Sequence, residues 1–339
     1  MASDLLAVEN RTKQQLIKRG KKRGEVFHLS SKGVIVTLLA ASLVLAASLS
    51  AADRETGPAP DQKTVSVMVG ILPQAYFVEQ IGSPYVAVTV LLGPGKSAET
   101  YEPTPREISQ LFDADVYFQI GMPFEKRLLE KAIGMKSNVH IVDTRKGITL
   151  RFFKEESGRG HTHGEGETDP HIWLDPQLVR IQARTMANEL KRLDPAHAAA
   201  YEANFNHFDS ALSQTDAAIA ALLAPCREAS LYVFHPGFGY FADRYGLNQI
   251  SVESEGKEPG AQRLAELIGR AKKDSVRIVF TQPEFSPKMA EAIAATISAK
   301  VAPLDPLAYD YLNNLQHMAR AIREALPCAP AKTTDPGVK

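Results

Sequence analysis

The sequence predicts an α/β protein of two similar lobes, each built on a parallel sheet, joined by a long rigid helix. Three observations carry this expectation. Apolar, β-branched runs alternate with helix-patterned segments in two sets of about four, the pattern of parallel α/β units. Helix starts are marked repeatedly by a capping residue followed by proline. Between the two sets lies Ala196 to Leu223, with neither Gly nor Pro and with frequent Ala and Leu. The chain has 339 residues, room for two domains at roughly 100–200 residues each.

Taken in order, the chain begins with the basic run Lys18-Arg19-Gly20-Lys21-Lys22-Arg23 and then Lys32, followed by the uncharged stretch Gly33 to Ala52. A positive flank, an apolar segment and small residues such as Ser50 and Ala52 read as an export signal cleaved before Asp53. The stretch also meets the roughly 20 residues that span a bilayer, so an uncleaved N-terminal anchor is the alternative. Residues 1–52 are assigned to this element and 53–63 to a polar linker. Everything beyond is expected outside the cytoplasm, in the periplasm, because the basic flank stays inside.

Residues 64–193 form the first lobe, with strands expected at Val65–Leu72, Val86–Leu92, Val116–Ile120 and His140–Val142. Within it, Thr104-Pro105-Arg106-Glu107 offers a capping box with proline at the first helical position. Asp175-Pro176, Asp194-Pro195 and Ser286-Pro287 repeat the cap-then-proline signal. The segment 154–168, KEESGRGHTHGEGET, is polar, acidic and Gly-rich, and is expected to be a mobile loop because it has no apolar area to bury. Residues 194–224 form the connecting helix, whose stretch Ala196 to Leu223 would run about 40 Å at about 1.5 Å per residue. The second lobe, 225–328, carries strands at Leu231–Phe234, Gln249–Val252, Arg277–Phe280 and Lys300–Leu304. Residues 329–339 are expected to be a disordered tail.

Lys+Arg 39 balances Asp+Glu 39, which argues against nucleic acid as a partner, since phosphate binding needs a basic surplus. The two cysteines, Cys226 and Cys328, are expected to pair, because an even count in an oxidising compartment favours a bridge. The chain is expected to act as a monomer.

Four residues stand out for chemistry. Glu99 lies just past the strand ending at Leu92, His235 directly after Leu231–Phe234, and Asp305 directly after Lys300–Leu304. His171, in DPHIWLDP, sits on a connecting loop. Ligands of open α/β sheets bind beyond the carboxyl ends of strands. Two candidates fall in each lobe, so a cleft between the lobes would bring them together. Two imidazoles and two carboxylates suit Zn2+ at four-coordination, and Mn2+ or Fe2+ also accept such a set. Taken alone, Asp305 reads as the turn or cap that an Asp before Pro ordinarily makes. His161 and His163, in the acidic loop, form an accessory capture pair or are incidental to a solvated segment. The other histidines are assigned to structure or solvent. A hydrolase is disfavoured because the chain has no HExxH helix and no nucleophile elbow.

These motifs together resemble the metal-binding receptors of zinc/manganese ABC importers, the cluster-A solute-binding proteins, from about Val65 to Leu326. The resemblance rests on TYEPTPREISQLFDADVYFQIG, DPHIWLDP, FHPGFGYFADRYGL, EGKEPGAQRLAELI, TQPEFSPKMAEAIA and LDPL. It implies metal held in the cleft between two α/β lobes, no catalysis, and delivery to a membrane permease. Residue by residue, it carries His171, His235 and Asp305 into the metal site. The first position departs from the pattern: Glu99 stands where the family usually has His. Direct ligation by Glu99, a three-residue site plus water, or substitution by Glu102 are the readings, of which the first is preferred. His at the third position implies zinc over manganese, and the zinc receptors carry a His-rich acidic loop where this chain has His161 and His163.

Overall fold

The computed structural model describes residues 64–98, 100–134, 138–153, 168–253 and 259–328. The export segment and linker, Glu99, His161, His163 and the 329–339 tail lie outside the described residues. Two four-stranded sheets are present, and every strand pairing in both is parallel. The first has strands β1 Val65–Ile71, β2 Val86–Leu92, β3 Val116–Gln119 and β4 His140–Asp143, in the order β2-β1-β3-β4. The second has β5 Ser230–Val233, β6 Asn248–Ser251, β7 Ile278–Thr281 and β8 Lys300–Pro303, in the matching order β6-β5-β7-β8. The chain therefore folds as two α/β lobes with the same strand order.

In the first lobe, helices α1 Leu72–Gly82, α2 Pro105–Asp113 and α3 Pro123–Gly134 connect the strands. β1 is buried along nearly its whole length, as a central parallel strand with both faces covered must be. α2 starts on the expected capping box: the Glu107 N–H donates to the Thr104 hydroxyl, and the Thr104 N–H donates to the Glu107 carboxylate. In the second lobe the helices are α6 Gly239–Tyr245, α7 Ala261–Lys273 and α8 Lys288–Thr296. Ser286 makes no side-chain cap there; Pro287 takes the capping position itself and α8 begins one residue later.

α4 Pro176–Leu193, α5 Ala198–Leu223 and α9 Tyr311–Ala325 join the lobes. Asp194-Pro195 opens a 3-10 turn, Pro195–His197, rather than α5 itself. α5 has 26 residues, about 39 Å at 1.5 Å per residue. Its buried residues Tyr201, Phe205, Phe208, Leu212, Ile219 and Leu223 recur at three- or four-residue steps or their sum, which places them on one stripe of the helix. α5 packs on α4, α1 and α9. Phe77 of α1 contacts Phe208 of α5 at 5.8 Å and meets Tyr311 of α9 edge-on at 4.8 Å, so one aromatic cluster spans all three helices.

A polar knot around the buried Asp216 sits at the same junction. Asp216 of α5 accepts hydrogen bonds from Arg244 and Tyr245 of α6 and from Gln177 of α4. Burial alone would raise the Asp216 carboxyl, but the Arg244 guanidinium and the Gln177 amide outweigh it and leave its pKa below the ordinary carboxylate value. Nearby, burial holds the Asp175 carboxyl above its ordinary value despite the Gln177 N–H and Arg244. Cys226, just past α5, is disulfide-bonded to Cys328, just past α9, across 102 residues of sequence. Among the described residues, no helix is long and apolar enough to cross a membrane.

Candidate metal centre at the strand ends

A cavity of about 380 Å³ opens where the carboxyl ends of both sheets face each other. Ser97, Thr100, Met122 and Pro123 line it from the first lobe, and His235, Glu253, Phe285 and Leu307 from the second, with His171 and Trp173 between them. This is the crevice in which parallel sheets bind ligands, because every connection after a strand end is free to vary there.

Each histidine is built into the wall by a carboxylate behind it. His171 precedes the 3-10 turn Ile172–Leu174 and is buried. Its Nδ1 lies 2.7 Å from Asp169 Oδ1, and the same oxygen accepts the His171 backbone N–H at 3.0 Å. His235 directly follows β5 and Phe234 and is equally buried. Its Nδ1 lies 2.7 Å from Glu253 Oε1. The Gln282 side-chain amide donates to the His235 carbonyl at 3.1 Å and accepts the His235 N–H at 3.4 Å, pinning the backbone to the end of β7. The His235 ring stacks on Phe285 at 4.9 Å and 19°, and the His171 ring lies 5.1 Å from Trp173. Trp173 is fixed in turn: its indole N–H donates to the Pro306 carbonyl, and its own carbonyl accepts from the Tyr311 hydroxyl.

A carboxylate at each Nδ1 requires a proton on that nitrogen and leaves Nε2 as the lone-pair donor, which is how metal-ligating imidazoles are set. The two ring centroids are 5.3 Å apart. Two imidazoles on one tetrahedral zinc, with Zn–N near 2.1 Å, place their centroids about 5 Å apart. The separation therefore fits a shared ion. Gly237 makes the approach feasible: a Cβ there would stand 3.1 Å from His171 Nε2 and 3.3 Å from His235 Cδ2, tight against both rings.

The floor on the first-lobe side is held by Glu125. Its carboxylate accepts the Tyr117 hydroxyl and the backbone N–H groups of Ile120, Gly121 and Met122, which fixes the β3–α3 turn beside the cavity. Burial pushes this carboxyl up to about 7, against the downward pull of those four donors.

Of the expected site residues, the described structure brings His171 and His235 together. Asp305 follows β8, where its Oδ1 accepts the Leu307 N–H at 2.9 Å and its carbonyl accepts from Asn314, while Pro306 and Leu307 line the cavity. Glu99 is outside the described residues, although Ala98 and Thr100 on either side of it line the cavity. Among the described residues, no group of three or more His, Cys, Asp or Glu is close enough to hold one metal ion.

Comparison with known proteins then decides the family. The family described as ZnuA, zinc-uptake complex component A, periplasmic, matches residues 67–325. The chain belongs to the ZnuA family. A high-affinity zinc uptake system protein ZnuA from Brucella abortus (strain 2308) is 28% identical over 311 residues, covering 77% of this chain and 91% of that protein. ZnuA from Bacillus subtilis (strain 168) is 28% identical over 249 residues, covering 71% and 78%. A crystal structure of a ZnuA superposes with a TM-score of 0.72 at 40% identity, covering 78% of this chain and 99% of the other.

At this candidate site, sequence reasoning did not single out Asp169 or Glu253. Both had a signal. Asp169 stands two residues before His171, within reach of the ring behind it. Glu253 directly follows the expected strand Gln249–Val252, the same strand-end position that marked His235 and Asp305.

Proposed function

We propose that the chain is an exported zinc receptor of an ABC importer: it captures Zn2+ between its lobes and delivers it to a membrane permease, without turnover. The observation that carries this reading is the pair of buried imidazoles, each backed by a carboxylate and spaced for one ion, in a ZnuA-family chain. His171 and His235 supply two nitrogen ligands. Glu99 and Asp305 complete the set; the Asp305 turn engages only one carboxylate oxygen, and a carboxylate has a second to offer. Two carboxylates would also neutralise the ion as it leaves water, where an uncompensated charge is costly. Two imidazoles favour zinc over the harder manganese, while iron or manganese remains the alternative cargo. The receptor works as a monomer in the periplasm, and His161 and His163 collect metal for the cleft.

Zinc affinity, measured by competition with a chromophoric chelator, is expected to fall by at least about 100-fold in both His171→Ala and His235→Ala, the loss of about 3 kcal/mol or more when a ligand is removed. Full retention of affinity in both variants would sink the assignment. Parallel competition with manganese separates the cargo readings, since a manganese receptor would not prefer zinc beyond the ordinary order of affinities. A Glu99→Ala or Asp305→Ala variant with unchanged affinity would remove that residue from the set and leave the imidazole pair in place.

A further inference from the structure

Behind His171 the structure places a guanidinium that neither the family pattern nor the strand-end rule singles out. Asp169 is fully buried. Its Oδ1 is occupied by His171, and its Oδ2 accepts from Arg151 Nη1 at 3.1 Å. Arg151 comes from the segment after β4, and its Nε faces Asp243 Oδ2 of α6 at 3.2 Å. The guanidinium lies over the Tyr240 ring at 5.6 Å. The Tyr240 hydroxyl accepts the Arg151 N–H at 2.9 Å and donates to the Asp169 carbonyl at 3.2 Å. The Asp169 N–H donates to the Arg151 carbonyl, so the two residues are paired through backbone as well as side chain. Gly239, at the start of α6, leaves the slot the guanidinium fills: a Cβ there would fall 1.1 Å from Arg151 Nη1.

Resting on the zinc-site reading, we infer that Arg151 is a positioning residue for metal capture. It acts through Asp169. Asp169 Oδ1 already accepts the His171 backbone N–H; Arg151, by occupying Oδ2, removes the carboxylate's remaining freedom to turn and holds Oδ1 in line with His171 Nδ1. The imidazole then presents Nε2 to the cavity in one tautomer and one orientation. Because Arg151 is seated against Gly239, Tyr240 and Asp243 of the second lobe, the aim of the His171 ring depends on that docking. A planar fork suits the task, since it contacts Asp169 and Asp243 at once through different nitrogens, which a lysine ammonium cannot do in the same geometry.

The test uses the full exported chain with Arg151→Met, Arg151→Lys, Gly239→Ala and His171→Ala. Two quantities are read: zinc affinity by chelator competition, and the tautomer of the His171 ring from its 15N shifts in metal-free protein. Arg151→Met and Gly239→Ala are each expected to weaken zinc by about 10–100-fold, the scale on which partners behind a ligand act. Both are also expected to introduce the Nε2–H tautomer, with Arg151→Lys recovering part of both effects. Gly239→Ala keeps every charge and crowds the Arg151–Asp169 contact itself, its Cβ falling 1.1 Å from Arg151 Nη1 and 2.8 Å from Asp169 Oδ2, so it carries the test if Arg151→Met fails to fold. The inference is overturned if both variants bind zinc within about 2-fold of the parent, or if affinity falls while the His171 tautomer stays single. His171→Ala separates the two readings. If it binds zinc like the parent, the site itself is wrong; if it loses zinc while the Arg151 and Gly239 variants do not, only the role of Arg151 falls.

Discussion

His235 shows how much one side chain can be asked to hold. Its ring is clamped between Phe285 and Glu253, and its backbone is bracketed by Gln282. Removing Glu253 leaves the imidazole free to swap tautomers, so Glu253→Ala is expected to lower zinc affinity by about 10–100-fold, with the melting temperature of the metal-free protein tracked as the control for folding. Gly237→Ala is expected to act in the same direction for a different reason, because the added methyl would press on both rings; chelator competition reads it directly. At this scale the sequence made the two histidines legible, since a His after a strand end and a His in an Asp-Pro-His run sit where ligands converge. It did not make their supports legible. Asp169 and Glu253 had only a positional signal, and Arg151 had none: the contacts that make a carboxylate orient a ring rather than face water are made by folding. Asp305 shows the converse: its sequence reads equally as turn and ligand, and its Oδ1 makes the turn.

Among the elements, strands were read closely where apolar runs are bounded by polar residues. Val86–Leu92 matches its strand residue for residue, and Gln249–Val252 and Arg277–Phe280 each differ by one position from Asn248–Ser251 and Ile278–Thr281. The cap-then-proline signal succeeded at Thr104 and Asp175, whose side chains accept the N–H groups of Glu107 and Gln177. At Asp194 it opened a 3-10 turn, because proline at the start fixes φ but does not decide between an α-turn and a 3-10 turn, and at Ser286 it shifted by one residue, with Pro287 itself in the capping position. The polar knot around Asp216 could not be read at all, since its members come from α4, α5 and α6. It gives a pH test. The folded-state pKa of Asp216 is depressed, so its contribution is present above the unfolded carboxylate value near 3.9 and lost as pH falls through the lower folded value. Asp216→Asn is expected to cost about 1–2 kcal/mol near neutrality, because Asp216 is buried while its partner Arg244 is exposed and screened by solvent. The stability gap to the parent, measured by urea unfolding, is expected to close as the solution is acidified below about pH 4.

Across the whole molecule, the ties between two lobes of identical strand order include α5, the aromatic contacts among α1, α5 and α9, Trp173 reaching Pro306, and Arg151 reaching Tyr240 and Asp243. Such a junction favours small adjustments at the cleft over wide opening. Zinc that binds only the folded chain must raise its thermal midpoint, and a scan with and without excess metal checks this; no shift at saturating zinc would count against binding in the cleft. The repeat of apolar runs and helices disclosed this architecture because parallel α/β units leave a strong periodic trace. How the lobes face each other left no such trace, being set by side chains such as Trp173 whose partners lie more than a hundred residues away.

The cystine between Cys226 and Cys328 also makes maturation depend on location. Cross-links of this kind form where thiols are oxidised and stay open in a reducing cell interior, and losing one that closes so long a loop costs roughly 2–5 kcal/mol. A reduced copy is therefore the softer molecule and easier for proteases to degrade. Cys226→Ser/Cys328→Ser protein is expected to melt several degrees lower than the oxidised parent and to match the parent treated with reductant; equal melting of oxidised and reduced parent would show that the bond contributes nothing to this difference.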